Sequence, residues 1–179
     1  MNLSVNVTAE WVHKLSLIRI MAIDVDGVLT DSGMYYTSSG ETMKKFSARD
    51  GKAIELLQVC GIRPVFITGE NNDIILRRAE KLSVREVHMG IKDKVAVAGR
   101  LLGKYALGWE NVLAVGDDWQ DVPLLRAGGF SCCPADALPE IQRQVQYVCR
   151  RRGGEGVIGE ILALCAAARP EIAAVLEKA

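Results

Sequence analysis

M-A-I-D-V-D-G-V-L-T, residues 21–30, completes an apolar run that begins at Ile18 and ends in two aspartates one residue apart. A short apolar run bounded by a polar turn and a glycine reads as a buried parallel strand. In open α/β sheets, ligands sit beyond the carboxyl ends of the strands. The run therefore delivers Asp24 and Asp26 to the edge where chemistry takes place. Alternation along the extended chain puts both carboxylates on one side and Val25 on the other. Like charges this close raise each other's pKa unless a cation lies between them. Magnesium, a hard ion that takes carboxylate oxygens, is the simplest cation for the task. Taken alone, D-x-D-G also fits a strand that merely ends in a polar turn, because Asp-Gly is a common turn pair.

The elements on either side favour a doubly wound sheet. A short helix is expected around Trp11, ahead of the first strand at 18–24. Residues 33–46 contain two strand-like runs flanking Ser38-Ser39-Gly40, a β-hairpin pattern. Its apolar side chains (Met34, Tyr36, Met43, Phe46) need a partner, because an isolated hairpin is marginal in water. A helix is expected from Asp50-Gly51 to Cys60, with Gly61 as its stop. Further strands are expected at 63–68, 85–88, 111–116, 129–133 and 146–149. Helices are expected at 71–82, 92–105, 121–127 and 137–144, with a basic, flexible loop at 150–156 and one closing helix. Strands alternating with helices argue a Rossmann-like parallel sheet with helices on both faces, in a single domain over 1–179.

Composition excludes several function classes. Acidic and basic residues balance at 22 each, so nothing points to nucleic acid or an anionic membrane. The longest apolar runs fall far short of the roughly 20 residues of a membrane helix. No basic region, apolar core and cleavage site opens the chain, so no secretory signal is expected. Five cysteines without a C-x-x-C fit a reducing cytoplasm better than a disulfide framework or a zinc site.

Four pieces line up at the carboxyl edge: Asp24-x-Asp26, Thr68, Lys94, and Asp117-Asp118 with Asp121. Each suits phosphoryl transfer. Asp24 can attack phosphorus and form an aspartyl-phosphate. Asp26 can protonate the leaving alkoxide and later take a proton from water. Thr68 can donate to a phosphoryl oxygen, and Lys94 can neutralise phosphate and nucleophile. Asp117, with Asp118 or Asp121 nearby, can hold magnesium opposite Asp24. Spread negative charge on a phosphoryl group is best met by fixed cations and a metal.

This order of motifs resembles the haloacid dehalogenase superfamily of phosphatases. D-V-D-G-V-L-T-D, the hairpin ending K-K-F, R-D-G (49–51), I-T-G-E (67–70), R-R-A-E-K-L (77–82), G-x-x-D-K (90–94), P-A-D-A (134–137) and R-G-G-E-G (152–156) are similar to the 3-deoxy-D-manno-octulosonate 8-phosphate phosphatase family and its nonulosonate 9-phosphate relatives. The resemblance implies a magnesium-dependent phosphatase of a keto-deoxy sugar-acid phosphate, assembled as a homotetramer through its hairpins. It implies metal contacts from Asp24, Asp26, Asp117, Asp118 and Asp121. It implies substrate contacts from Gly69, Glu70, Arg49, Lys81, Arg78 and Arg152.

Spacing supports the oligomer separately. Only 41 residues separate Asp26 from Thr68, and 25 separate Thr68 from Lys94, so neither gap holds a cap domain. An uncovered site would admit water, and a neighbouring subunit can supply the missing wall. Octulosonate phosphatases of this type usually carry Arg where this chain has Glu70, whereas Arg49-Asp50-Gly51 fits them. The eight-carbon substrate is the first expectation and the nine-carbon one the alternative. Two rival classes have different signatures. A phosphoacceptor receiver places its acid pair first, the reverse of the order here. A non-catalytic assembly domain would have no need of Asp24, Asp26, Thr68, Lys94 and Asp117 together.

Overall fold

The run 18–24 is extended and, apart from the exposed Arg19, buried. In the computed structural model, which describes residues 7–178, it forms strand β1 at Ile20–Ile23. Parallel strands β4 (Arg63–Ile67), β5 (Glu86–His88), β6 (Val112–Val115), β7 (Phe130–Cys133) and β8 (Tyr147–Val148) complete a six-stranded sheet in the order β5-β4-β1-β6-β7-β8. β1 lies between β4 and β6, with Ile23 level with Phe66 and Val115. The loops after these three strands therefore emerge side by side.

Both sheet faces are covered, which explains why the strands lack polar alternation. Met21 and Ile23 pack with Leu15 of α1 (Ala9–Leu17), Ile54 and Leu57 of α2 (Ala48–Val59), Ile75 of α3 (Asp73–Lys81) and Ile158 of α7 (Val157–Ala168). Ile20 and Ala22 face the other way. They join Val97 and Leu101 of α4 (Lys94–Tyr105), Leu124 of α5 (Val122–Ala127) and Ile141 of α6 (Pro139–Gln142). No described helix is long and apolar enough to cross a membrane.

The hairpin is β2 (Tyr35–Thr37) paired antiparallel with β3 (Gly40–Met43), outside the main sheet. Met34, Tyr35, Tyr36 and Met43 are exposed on it. All five cysteines are free thiols.

Four expectations need correction. The helix after the hairpin starts at Ala48, because the Ser47 hydroxyl accepts from the Arg49 and Asp50 amides. Asp50 is buried and instead caps α7, accepting from the Gly156 and Ile158 amides at 3.0 and 2.7 Å. The helix expected over 137–144 shrinks to one turn at 139–142, with Pro139 at its start. The closing helix is two helices, α7 and α8 (Pro170–Leu176), because proline cannot continue the hydrogen-bond ladder.

The loop at 150–156 is clamped, not loose. Glu160 accepts from the Arg150 and Arg151 amides and from the Tyr147 hydroxyl, and Asp136 accepts from the Gly153 amide. The Gly154 amide then reaches the Val28 carbonyl at 3.0 Å, tying this loop to the turn after β1.

Candidate active site

Three adjacent strand ends build the site. Asp24 follows β1, Thr68 follows β4, and Gly116-Asp117 follows β6. With Lys94, the first residue of α4, they line a cavity of about 220 Å³ shared with Asp26, Ser32, Gly69, Glu70, Asp118, Gln120 and Asp121. Sequence reasoning placed all of these there except Ser32 and Gln120. Ser32 belongs to no motif and arrives on a bend after β1, whereas Gln120 is an uncharged residue inside G-D-D-W-Q-D (116–121), carried on the 3-10 turn Trp119–Asp121.

Lys94 is the hub. Its ammonium lies 2.5 Å from Asp24 Oδ1 and 2.6 Å from Asp121 Oδ1, and all three side chains are nearly enclosed. Burial alone would push this lysine down. The Asp24 and Asp121 charges outweigh burial and hold it above the usual lysine range. Asp121 is fully committed, since its second oxygen accepts from the Asp117 and Asp118 amides at 3.0 and 3.3 Å. It acts as the scaffold of the Asp117 turn. The Thr68 hydroxyl is buried and accepts from the Glu70 amide, and its own proton remains available to an oxygen in the cavity.

The expected cation ligands divide. Oxygens of Asp24, Asp117 and Asp121 lie within 4.8 Å of one another. Asp118 and Asp26 are not in that cluster. Asp118 Oδ1 accepts from the Trp119 amide at 2.6 Å, and Asp26 Oδ1 meets Lys44 at 2.7 Å. Within the cluster, Asp117 Oδ1 is buried and has no hydrogen-bond partner. Gly27 (φ +88°) packs directly on Asp117, where a Cβ would fall 2.1 Å from its Oδ2. These residues fit a hard divalent ion, with Asp24 and Asp117 as the carboxylates able to hold it.

Electrostatics make the same case. Burial, then the charge of Asp121, pushes the Asp24 carboxyl up to about 7. Burial, then the charges of Asp24 and Asp121, pushes Asp117 up to about 8. A cation must displace protons from such groups, so binding tightens as they ionise. Magnesium titrated calorimetrically should bind more tightly, and release fewer protons, as the pH rises from about 6 to about 8. Affinity independent of pH over that range would contradict the assignment.

The expected substrate contacts are spread more widely. Gly69 and Glu70 sit at the cavity, with Glu70 exposed at its rim. Arg49 on α2 and Lys81 at the end of α3 are exposed and do not line it. Arg78, on α3, donates to the Ser47 carbonyl at 2.8 Å and stacks over Phe46, tying the hairpin base and the start of α2 to α3. Arg152 turns to Asp136 at 3.3 Å on the surface. Within one chain, these four cations stay outside the cavity.

No family model matches the chain. It is 36% identical over 155 residues to the 3-deoxy-D-manno-octulosonate 8-phosphate phosphatase of Escherichia coli, covering 87% of this chain and 82% of that protein. The crystal structure of the Yersinia pestis phosphatase of the same name superposes with a TM-score of 0.88 at 32% identity, covering 92% of this chain and 89% of that one. The Moraxella catarrhalis phosphatase, solved with magnesium, phosphate and a KDO molecule, superposes with a TM-score of 0.89 at 28% identity, covering 93% and 96%. With an acid, threonine and lysine constellation on the same capless fold, this chain belongs to the 3-deoxy-D-manno-octulosonate 8-phosphate phosphatase family of the haloacid dehalogenase superfamily and is a phosphoric monoester hydrolase.

Proposed function

We propose that this protein hydrolyses 3-deoxy-D-manno-octulosonate 8-phosphate to the free sugar acid and phosphate, through an aspartyl-phosphate on Asp24 and with magnesium as cofactor. The observation that carries this is the convergence of Asp24, Asp26, Thr68, Lys94 and Asp117 on one small cavity at adjacent strand ends. Lys94 orients Asp24 through Oδ1 and supplies a fixed positive charge beside the incoming phosphoryl group. Thr68 donates to a phosphoryl oxygen. Asp26 protonates the departing sugar alkoxide, then takes a proton from the water that cleaves the acyl phosphate. Bound magnesium, held by Asp24 and Asp117, supplies further charge neutralisation at the phosphoryl oxygens.

A cavity of about 220 Å³ has room for a phosphoryl group but is small for a sugar acid, since ligand pockets usually span about 300–1,000 Å³. This supports a homotetramer in which a neighbouring copy completes the site. The exposed Met34, Tyr35, Tyr36 and Met43 of the hairpin are the apolar surface to be covered. Arg49, Lys81, Arg78 and Arg152 are the proposed sugar-acid contacts of that completed site, reaching the carboxylate from outside the single-chain cavity.

An alternative substrate is a nonulosonate 9-phosphate, favoured by Glu70 at the rim, where an acid can accept from sugar hydroxyls. Phosphate release from both sugar-acid phosphates, with and without EDTA, tests the reading. The expected result is a preference in kcat/KM for the eight-carbon substrate of at least about tenfold, or ~1.4 kcal/mol. EDTA should abolish turnover and excess magnesium restore it. Preference for the nine-carbon substrate would reassign the substrate, and hydrolysis unaffected by EDTA would remove the metal from the mechanism.

A further inference from the structure

Two adjacent lysines follow β3, and they have opposite fates. Lys45 is exposed and pairs with Asp31 at 3.1 Å. The Lys44 side chain has no exposed surface, and its ammonium lies 2.7 Å from Asp26 Oδ1 and 2.9 Å from Glu41 Oε1. Glu41 Oε2 accepts in turn from the Asn72 side chain at 2.6 Å, and Asn72 caps α3. The Thr30 hydroxyl also donates to Asp26 Oδ1, at 3.4 Å. One oxygen of Asp26 is therefore held twice. The other, Oδ2, is buried without any hydrogen-bond partner, and Asp26 lines the cavity.

We propose that Lys44, fixed by Glu41 and Asn72, is the positioning residue for Asp26, pinning Oδ1 so that Oδ2 alone carries the proton. Lys44 is enclosed and cannot touch substrate, so it acts only through Asp26. The inference rests on Asp26 being the acid and base of the proposed reaction. In the first half-reaction, a bond forms from Asp24 to phosphorus and the bond from phosphorus to the sugar oxygen breaks. The Oδ2 proton goes to that oxygen. In the second, water attacks the acyl phosphate and returns a proton to Oδ2, releasing phosphate and restoring both aspartates. A carboxylic acid free to rotate would present the proton to the cavity only part of the time. The lysine removes that freedom, and the hairpin becomes part of the catalytic apparatus.

The test exploits leaving groups. A sugar alkoxide needs its proton, whereas p-nitrophenolate leaves readily without one. Lys44→Met keeps much of the side-chain bulk and removes the ammonium. With purified, folded protein, kcat/KM for octulosonate 8-phosphate should fall on the order of 10²-fold, the lower end of acid–base contributions. The loss with p-nitrophenyl phosphate should be smaller by at least about tenfold. Glu41→Gln should show the same selective loss at lower amplitude, and it carries the test if Lys44→Met does not fold. Equal losses with both substrates, or none with either, would overturn the proposal. A wild-type chain inactive on both would overturn the phosphatase reading together with it.

Discussion

Asp24→Asn lowers phosphate release by at least about 10⁴-fold, the scale expected when a covalent nucleophile is lost. The amide keeps the size of the carboxylate and still accepts from Lys94, so the local geometry survives. It cannot form the acyl phosphate. No neighbour can take over, because Asp121 is bound through both oxygens and Asp26 is pinned by Lys44. The same substitution should affect stability in the opposite direction. Burial and the charge of Asp121 raise the Asp24 carboxyl to about 7, far above its ordinary value. A carboxyl raised in the folded state favours folding while protonated and disfavours it once ionised. In EDTA, wild-type stability should therefore decline as pH climbs from the ordinary carboxylate range through about 7. Asparagine is neutral throughout. At about pH 8 in EDTA, the variant should melt above wild type, and magnesium should raise its melting temperature less. Wild-type turnover by the variant would end the case for a phosphorylated Asp24.

What sequence reading captured is what depends on local pattern. The six strands expected for the sheet became six parallel strands, and the groups closing the first, second and fourth of them met at one edge. The polar ends of those runs are informative because the sheet fixes where a strand delivers its next residue. What escaped depends on partners distant along the chain. Lys44 and Lys45 are indistinguishable as text, and only the folding back of the hairpin buries one against Asp26. Asp50 looked like the start of its own helix, yet it caps α7 more than a hundred residues away. The arginine- and glycine-rich loop read as flexible because its three anchors, Asp136, Glu160 and Asp50, lie outside it. One miss was avoidable. Arg169-Pro170 announces a helix break in the sequence itself, because proline disfavours a helical residue before it.

That clamped loop yields the second large effect. Gly153→Ala should destabilise the protein by about 3 kcal/mol, the upper end of overpacking costs. The reason is not backbone freedom, because Gly153 has no positive φ. It is space: a Cβ there would fall 2.0 Å from the Gly27 carbonyl oxygen and 2.7 Å from that of Thr30. Both obstacles are backbone of the turn that carries Asp26, and neither wall can retreat. Asp136 and Glu160 hold the Gly153 side, and the Gly154 amide locks to Val28 on the other. For a domain of this size the melting temperature should fall by roughly 6–12 °C. Any displacement that is tolerated passes to Gly27, which rests on Asp117, so kcat should drop on the order of 10²-fold in the surviving folded fraction. Gly103→Ala provides the contrast. Gly103 lies on the exposed face of α4 with nothing near its missing Cβ, and alanine there should stabilise by about 0.5–1 kcal/mol. Thermal melts of the two variants beside wild type should move in opposite directions. A Gly153→Ala protein that melts with wild type and turns over normally would mean that the loop yields, and that its packing against the nucleophile turn does not hold the site in place.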